Sequence, residues 1–539
     1  MDATMMHTPM TVQLIMQHGE RVFPDSTVSV FDGETLTSTR YADIAANATR
    51  LASALAQLGI QAGDRVGTFS WNNTAHLEAY LAIPSMGAIM HTINVRLSPE
   101  HMAYVTNHAE DRVIILDGSL QSIFEPVLPL LTSVEHILLV GDQEITLPKG
   151  IAISRYSELL ADADAVYDWP ELDETSAAAI CYTSGTTGNP KGVVYSHRTT
   201  FVHSMASRAS DTFGISEHDR ILLLPPMFHA NSWGLPYSGW FSGSDFIMPG
   251  PHLQPAGIKT MVRTTQPTIT AMVPTILGDL LRASDEEGFD MSSFRMLVCG
   301  GSAVAPAMID AAREKWGVPV LQGWGMTETS PLCALSHPPR NPGAGGETPW
   351  RAKSGRPVAG VQVRVVDDQG APLPHDGASV GELQLRGPWI TGSYYKNESD
   401  DSFTADGWLR TGDVGHIDAL HYVQLTDRTK DVIKSGGEWI SSVDLENVLL
   451  AHPGVSEVAV IATADERWQE RPLAIVVLKN SSVTAKDLQQ HLVDKVAKFW
   501  IPEYWAFTEE IAKTSVGKMD KKRLRAANEQ GELTVQLAK

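Results

Sequence analysis

An α/β and α+β architecture is expected, with layered α/β sheets over most of the chain and a small α+β unit after them. Three observations predict it. Helical and strand-like apolar patterns alternate through most of the sequence, as they do where helices cover a parallel sheet. Near Gly360 the pattern becomes strictly apolar–polar, the signature of half-exposed antiparallel strands. After Leu425 a dense charge cluster and a glycine pair interrupt the chain, and a second, shorter set of helix and strand patterns follows. A length of 539 residues also exceeds what one hydrophobic core spans, so at least two domains of unequal size are expected.

In chain order, Ile44, Leu51, Leu55 and Leu58 fall on one face of a helix that starts at Tyr41 and stops at Gly59. Val113 to Leu116 and His136 to Val140 read as buried strands. Val361 to Val365 and Glu382 to Arg386 alternate as antiparallel strands do. Asp427-Arg428-Thr429-Lys430-Asp431 and Lys434-Ser435-Gly436-Gly437 read as a linker or hinge rather than core. Beyond it come a helix near Asp444 to Ala451, strands near Val455 to Ile461 and Leu473 to Val477, a helix near Lys486 to Lys498, and a basic tail.

Composition narrows the function classes. Hydrophobic content is 43% and charged content 19%, ordinary for a soluble globular protein. A formal net charge of -21 opposes non-specific binding to nucleic acid or anionic membrane, though not a phosphate ligand held locally. Cys181, Cys299 and Cys333 form no CxxC pair, so buried apolar thiols are expected rather than a disulfide framework or zinc site. Neither a signal peptide, nor an apolar run of bilayer-spanning length, nor a C-terminal address is legible, and a cytoplasmic enzyme is expected.

The strongest chemical signal is Thr183-Ser184-Gly185-Thr186-Thr187-Gly188-Asn189-Pro190-Lys191-Gly192, which follows the apolar strand Ala177 to Cys181. Glycines and small hydroxyl residues let backbone N–H groups crowd around an anion, and Lys191 adds charge. A flexible surface turn is the plain alternative; the length of the run, the strand before it and the closing Pro-Lys-Gly argue against that. Five positions beyond Gly185 lies Pro190 rather than glycine, so the run is not a Walker A loop.

This run resembles the signature loop of the adenylate-forming superfamily, which includes acyl-CoA synthetases, peptide-synthetase adenylation domains and beetle luciferases. Four further motifs follow in the family's order: Gln322 to Thr329, Thr411-Gly412-Asp413, Asp427 to Asp431, and Thr514 to Lys518. The resemblance spans nearly the whole chain. It implies a large N-terminal domain of layered sheets plus a distorted barrel, over residues 1–429, and a small mobile C-terminal domain over 430–539 with a hinge at Lys430. It also implies ATP, Mg2+ and coenzyme A as reactants. A carboxylate would first be joined to AMP with loss of pyrophosphate, and a thiol would then displace the AMP.

The same resemblance implies residue roles. Lys518, Glu328, Thr327 and His229 would be catalytic, with Thr186 and Glu328 at the metal; Glu328 suits Mg2+, which takes oxygen ligands. Thr183, Ser184, Gly185, Thr186, Thr187, Gly188, Lys191, Gly301, Ser302, Ala303, Trp324, Gly325, Met326, Asp413, Val423 and Arg428 would meet the nucleotide. Trp324 could stack on adenine or be a core aromatic; Asp413 could accept from ribose or cap a turn. Lys518 could steady charge at the α-phosphate or be one more tail lysine beside Lys513, Lys521 and Lys522. Trp233, Gly300, Trp324 and Pro331 would line the acyl pocket, and Lys434, Ser435, Gly436, Gly437 and Glu438 the coenzyme A tunnel.

Amino-acid-activating members usually carry an aspartate near Pro226 to Trp233, where this chain has His229-Ala230-Asn231. A substrate ammonium would enter the pocket unpaired, so an uncharged short or medium acid is expected. His229 could orient the carboxylate or be structural. The stretches from Pro226 to Tyr237 and Trp324 to Cys333 resemble medium-chain fatty acyl-CoA ligases and, among these, bacterial 3-methylmercaptopropionate–CoA ligases. A homodimer is implied as well. The alternatives are an adenylating enzyme that loads a carrier-protein thiol, a luciferase-like oxygenase, and an inactive acyl or nucleotide sensor.

Overall fold

The apolar runs at 113–116 and 136–140 become adjacent parallel strands because a strand covered on both faces needs no polar side. The computed structural model describes the chain apart from residues 2, 184–188, 398–400, 429–430, 436–437, 466, 480–482, 515–518 and 539. Those two runs belong to a seven-stranded sheet ordered Ala152–Arg155, His136–Val140, Asp111–Asp117, Arg65–Phe69, Ile89–Thr92, Ala177–Tyr182, Gly192–Ser196. Its neighbours are parallel except the last pair, which is antiparallel and brackets the glycine-rich loop.

A nine-stranded sheet runs through Met296–Gly300 and Val320–Gly325, with Arg356–Pro357 and Leu36–Arg40 at its edges. Helices Val12–Val22, Tyr41–Gln57, Thr74–Ser85, His197–Ser207 and Leu235–Ser242 pack on one another in a core shared with both sheets. Helix Tyr41–Gln57 buries Ile44, Leu51 and Leu55 as the spacing requires, and Gly59 closes it with φ +83°. Tyr41 stacks on Trp240 with ring centroids 3.9 Å apart, and the Trp240 indole N–H donates to the Met16 carbonyl. Gly19 makes room for that indole: a Cβ there would lie 2.2 Å from Nε1.

Where the distorted barrel was expected stands a four-stranded antiparallel sheet, Gln362–Val366, Gly381–Arg386, Leu409–Ile417 and Val423–Arg428, with register shifts in two of its ladders. Its last strand extends into the charge cluster read as linker: Asp427 is buried and Arg428 pairs with Asp413. The smaller C-terminal α+β domain carries a six-stranded sheet around Gln469–Leu478, with helices Ser442–Leu450, Ala485–Leu492 and Lys521–Glu529.

Two expectations need correction there. The helix expected to reach Lys498 ends at Leu492, where Val493 turns exposed and Asp494 takes φ +64°. The basic tail is instead helix Lys521–Glu529 followed by an edge strand, Val535–Leu537. Cys181, Cys299 and Cys333 are buried free thiols. Among the described residues, no helix is long and apolar enough to cross a membrane.

Helix Thr74–Ser85 is apolar all round and buries Glu78, whose carboxylate accepts from Tyr156 Oη at 2.6 Å and Asn47 Nδ2 at 2.8 Å. Burial lifts its pKa from 4.5 to about 7 despite both hydrogen bonds. Because the folded value is the higher one, its stabilising contribution is complete below pH 4.5 and is lost as pH rises through 7. Glu78→Gln is expected to remove this slope. In urea unfolding between pH 5 and 8, wild type should lose on the order of 3 kcal/mol relative to the variant; parallel profiles would refute the assignment.

Candidate active site

The strand Val320–Gly325 ends beside the 3-10 turn Thr327–Thr329, and the chain closes there so tightly that only glycine fits at 325. A Cβ on Gly325 would lie 2.0 Å from the Pro331 carbonyl oxygen, which accepts the Met326 N–H at 3.1 Å. Alternation along the strand puts the indole of Trp324 opposite in direction to Gly323 and Gly325. Its Nε1–H donates to Asp413 Oδ2 at 2.8 Å. Asp413 stands directly across the antiparallel ladder from Arg428, whose Nε lies 2.6 Å from Oδ1 in an ion pair. One Asp413 oxygen therefore accepts a hydrogen bond and the other faces a guanidinium. Each keeps a lone pair for a further donor such as a ribose hydroxyl.

Arg428 is half exposed while Asp413 is nearly buried, and the neighbouring carboxylate raises the pKa of the guanidinium, with Glu328 adding to the effect. Trp324 is 5% exposed, so most of its ring is core and little face is left for a purine. Val423 is wholly buried, with its N–H on the Gly355 carbonyl.

Thr327 and Glu328 sit on the turn, both nearly buried. Tyr195 Oη donates to the Thr327 carbonyl at 2.6 Å. Tyr394 Oη donates to Glu328 Oε1 at 2.7 Å, and Thr391 N–H to the Glu328 carbonyl at 2.8 Å. Lys191 Nζ lies 4.6 Å from the centre of the Tyr394 ring. The mouth of the glycine-rich loop is closed by Thr183 N–H on the Lys191 carbonyl at 2.9 Å and Lys191 N–H on Thr183 Oγ1 at 3.1 Å. Ser184 to Gly188, including Thr186, lie outside the described residues. Among the described residues no group of three or more His, Cys, Asp or Glu forms a ligand set for a metal. A single carboxylate such as Glu328 suits a Mg2+ ion that arrives on phosphate oxygens.

Gly301, with φ +87°, and Ser302 are exposed and Ala303 is half-buried, just past the strand Met296–Gly300. Buried Gln322 fixes this segment by accepting the Val304 N–H at 2.8 Å. Trp233 packs edge-on against Gly300, where a Cβ would meet Cη2 at 3.0 Å. Trp233 ends a run of four non-glycine residues with positive φ, Ala230 to Trp233 at 43° to 59°, before Gly234 at 75°. A left-handed turn of L-residues costs about 1–2 kcal/mol per residue. Ser232 Oγ on the Pro225 carbonyl (2.6 Å) and Cys181 Sγ on Asn231 Oδ1 (3.1 Å) help hold it. His229 is half-buried at its start, and its carbonyl accepts from Ser232.

Beneath this turn lies a cavity of about 10 Å3, lined by Tyr195, Thr200, His203, Asn231, Tyr237 and Ser330 among others. None of these carries a charge at neutral pH, since burial lowers His203 to about 4.

Lys434, Ser435 and Glu438 lie on the paired strands Ile433–Ser435 and Glu438–Ile440, and buried Ser435 accepts from Arg471 Nη1 at 3.2 Å. Lys430, Gly436, Gly437 and Lys518 lie outside the described residues. Sequence reasoning gave no role to Tyr394, to Gln322 or to Asp427, although the last two each open a family motif. Asp427 Oδ2 accepts from the Ser442 N–H at 2.9 Å and from Oγ at 2.6 Å, which docks the first helix of the small domain onto the antiparallel sheet. Lys521 Nζ reaches both Ser442 Oγ at 2.5 Å and Glu446 Oε1 at 2.7 Å. The one available signal for Asp427 was an acid ending an alternating strand.

Comparison with known proteins shows the family of the chain. Residues 16–395 match the family model described as AMP-binding enzyme, and residues 444–518 match the AMP-binding enzyme C-terminal domain. The chain is 40% identical to a 3-methylmercaptopropionyl-CoA ligase of Ruegeria lacuscaerulensis over 527 residues, covering 97% of this chain and 98% of the relative. It is 44% identical to a long-chain-fatty-acid–CoA ligase of Thermus thermophilus over 494 residues, 90% of each. A solved anthranilate CoA ligase, AuaEII, in complex with anthranoyl-AMP superposes with a TM-score of 0.88 at 26% identity, covering 99% of this chain and 100% of that one.

If the Trp324 indole holds Asp413 for a nucleotide, Trp324→Phe should weaken AMP binding about tenfold in calorimetric titration at a temperature where the variant remains folded. Unchanged AMP affinity would show that the Trp324–Asp413 bond serves the fold alone.

Proposed function

We propose, for a chain that belongs to the AMP-binding enzyme family, that it is an AMP-forming acid–CoA ligase acting on a short or medium uncharged carboxylic acid. The observation that carries this reading is the convergence of Asp413, clamped between Trp324 and Arg428, with Glu328 and Lys191. These groups provide an acceptor pair for ribose and cationic and anionic partners for a metal-bound triphosphate. The ligase names of the relatives supply the acid and the thiol.

In the first half-reaction an acid carboxylate attacks the α-phosphate of ATP, and pyrophosphate leaves. Asp413 holds the ribose, Lys191 and the loop after Thr183 draw charge from the phosphates, and Glu328 presents a carboxylate to Mg2+. That ion would neutralise phosphate charge as the α-phosphate is attacked. Lys518 meets the α-phosphate as charge develops there. In the second half, the coenzyme A sulfur attacks the acyl carbonyl and AMP leaves. We take residues 1–429 and 430–539 as the two domains, with a hinge at Lys430 that withdraws Lys518 and brings residues 434–438 to the thiol's path.

The acid is placed by Trp233, Gly300 and Pro331, with His229 at its carboxylate end. The run His229-Ala230-Asn231, with no acidic residue, supports a neutral tail, because a buried ammonium would find no partner there. Similarity to the 3-methylmercaptopropionyl-CoA ligase makes 3-methylmercaptopropionate a leading candidate beside short fatty acids. A cytoplasmic homodimer completes the reading.

AMP release with ATP and Mg2+, with and without coenzyme A, tests it across acids from acetate to dodecanoate, 3-methylmercaptopropionate, benzoate and amino acids. CoA-dependent release that peaks on short or medium neutral acids is expected; pyrophosphate release without CoA-dependent AMP would overturn the thioester half. Lys518→Ala should lower adenylation at least a hundredfold and spare thioester formation from supplied acyl-adenylate. Equal losses in both halves would remove Lys518 from its role.

A further inference from the structure

The segment 391–396 touches Glu328, Lys191 and Gly192, residues at the phosphate end of the candidate site. Thr391 N–H holds the Glu328 carbonyl and Tyr394 Oη holds the Glu328 carboxylate, so main chain and side chain of one residue are gripped by one short loop. The next residue, Tyr395, donates its N–H to the Gly192 carbonyl at 2.8 Å, at the end of the glycine-rich run. Lys396 Nζ anchors the segment on the His108 carbonyl at 3.0 Å and Glu110 Oε1 at 2.8 Å. Phe403 packs edge-on to the Tyr394 ring and Lys191 sits over it, and Tyr394 is 8% exposed.

A nearly buried carboxylate with a long side chain has several rotamers, and a charge-assisted hydrogen bond to one oxygen selects one of them. The phenol hydroxyl does this for Glu328 at Oε1. The same ring sets the position of the Lys191 ammonium through its π face. One tyrosine thus fixes the distance between the anion offered to a metal and the cation offered to a phosphate.

Resting on the ligase reading, we propose that Tyr394 is a positioning residue that sets the geometry of metal-bound ATP by orienting Glu328 and seating Lys191. Neither the acid nor the thiol half of the substrate depends on it. Phenylalanine at 394 keeps the ring, and so the packing and the contact with Lys191, and removes only the donor to Glu328.

The test uses Mn2+ as the metal probe. Binding of Mn2+ with ATP, followed by electron paramagnetic resonance without any acid present, is expected to weaken about tenfold in Tyr394→Phe. The KM for Mg2+–ATP should rise by a similar factor. The KM for the acid, and thioester formation from supplied acyl-adenylate, should stay at wild-type values. In a double-variant cycle, Tyr394→Phe with Glu328→Gln should bind Mn2+–ATP no more weakly than Glu328→Gln alone, since Tyr394 acts through Glu328. Additive losses, or wild-type Mn2+–ATP affinity in a folded Tyr394→Phe, would overturn the proposal. Should Tyr394→Phe fail to fold, the comparison passes to Thr391→Pro, which deletes the main-chain grip on Glu328 and should weaken Mn2+–ATP in the same sense; unchanged affinity there overturns it. The binding measurement needs no acid, so a wild type that binds Mn2+–ATP but turns over no acid sinks the ligase reading and leaves this one standing.

Discussion

The carboxylate of Asp413 is the constraint on which the site depends. It lies where the nine-stranded sheet, through Trp324, meets the antiparallel sheet, through Asp413 and Arg428. Burying that charge without partners would cost several kcal/mol. The Arg428 ion pair and the Trp324 hydrogen bond offset the cost, and the second does so only while both sheets keep their relative positions. The arrangement works in both directions: the sheets hold the acid in place, and the acid's need for the Trp324 donor favours that packing of the sheets. Tight closure at Gly325 against the Pro331 carbonyl then carries the chain straight into the turn that presents Glu328.

The acyl side is built from strain rather than charge. Four successive non-glycine residues in the left-handed region are unfavourable, and here they are held by hydrogen bonds to the Pro225 and His229 carbonyls and from Cys181 Sγ. The result is a rigid turn that sets the Trp233 indole against Gly300. Any side chain at 300 would have to displace that ring. The cavity beneath is small and uncharged, so the two ends of the site differ in kind: charged groups in fixed pairs on one side, neutral hydroxyl and amide groups on the other.

Among the described residues, polar contacts join the antiparallel sheet to the first helix of the small domain. Ser441 Oγ donates to the Thr426 carbonyl at 2.7 Å, and Ser442 caps Asp427. Lys521 joins the same cluster from the far end of the chain. Burial raises the Asp427 pKa even with these donors, which marks the cluster as desolvated. Contacts of this kind are directional and few, unlike an apolar interface, and a pair of domains joined in this way can part without exposing a core.

Much of the fold was legible in the sequence because it follows from periodicity. Buried parallel strands read as apolar runs, the helix from Tyr41 reads by its spacing, and the antiparallel sheet reads by alternation. The candidate site residues were legible through the resemblance of five motifs, in order, to one family. What the sequence by itself determined was therefore that family and a candidate inventory: the run from Thr183, Thr327-Glu328, Asp413 and Arg428. Tertiary structure alone decided the partnerships. That Trp324 serves Asp413 with its N–H, that Tyr394 grips Glu328 from 66 residues away, and that Asp427 is buried against Ser442 are contacts between segments with no local periodicity in common. Such contacts depend on how sheets pack, and packing is set by the sum of many weak, non-local interactions that no short stretch of sequence records. For the same reason the charge cluster at 427–431 read as solvated linker, although its first two residues complete a sheet.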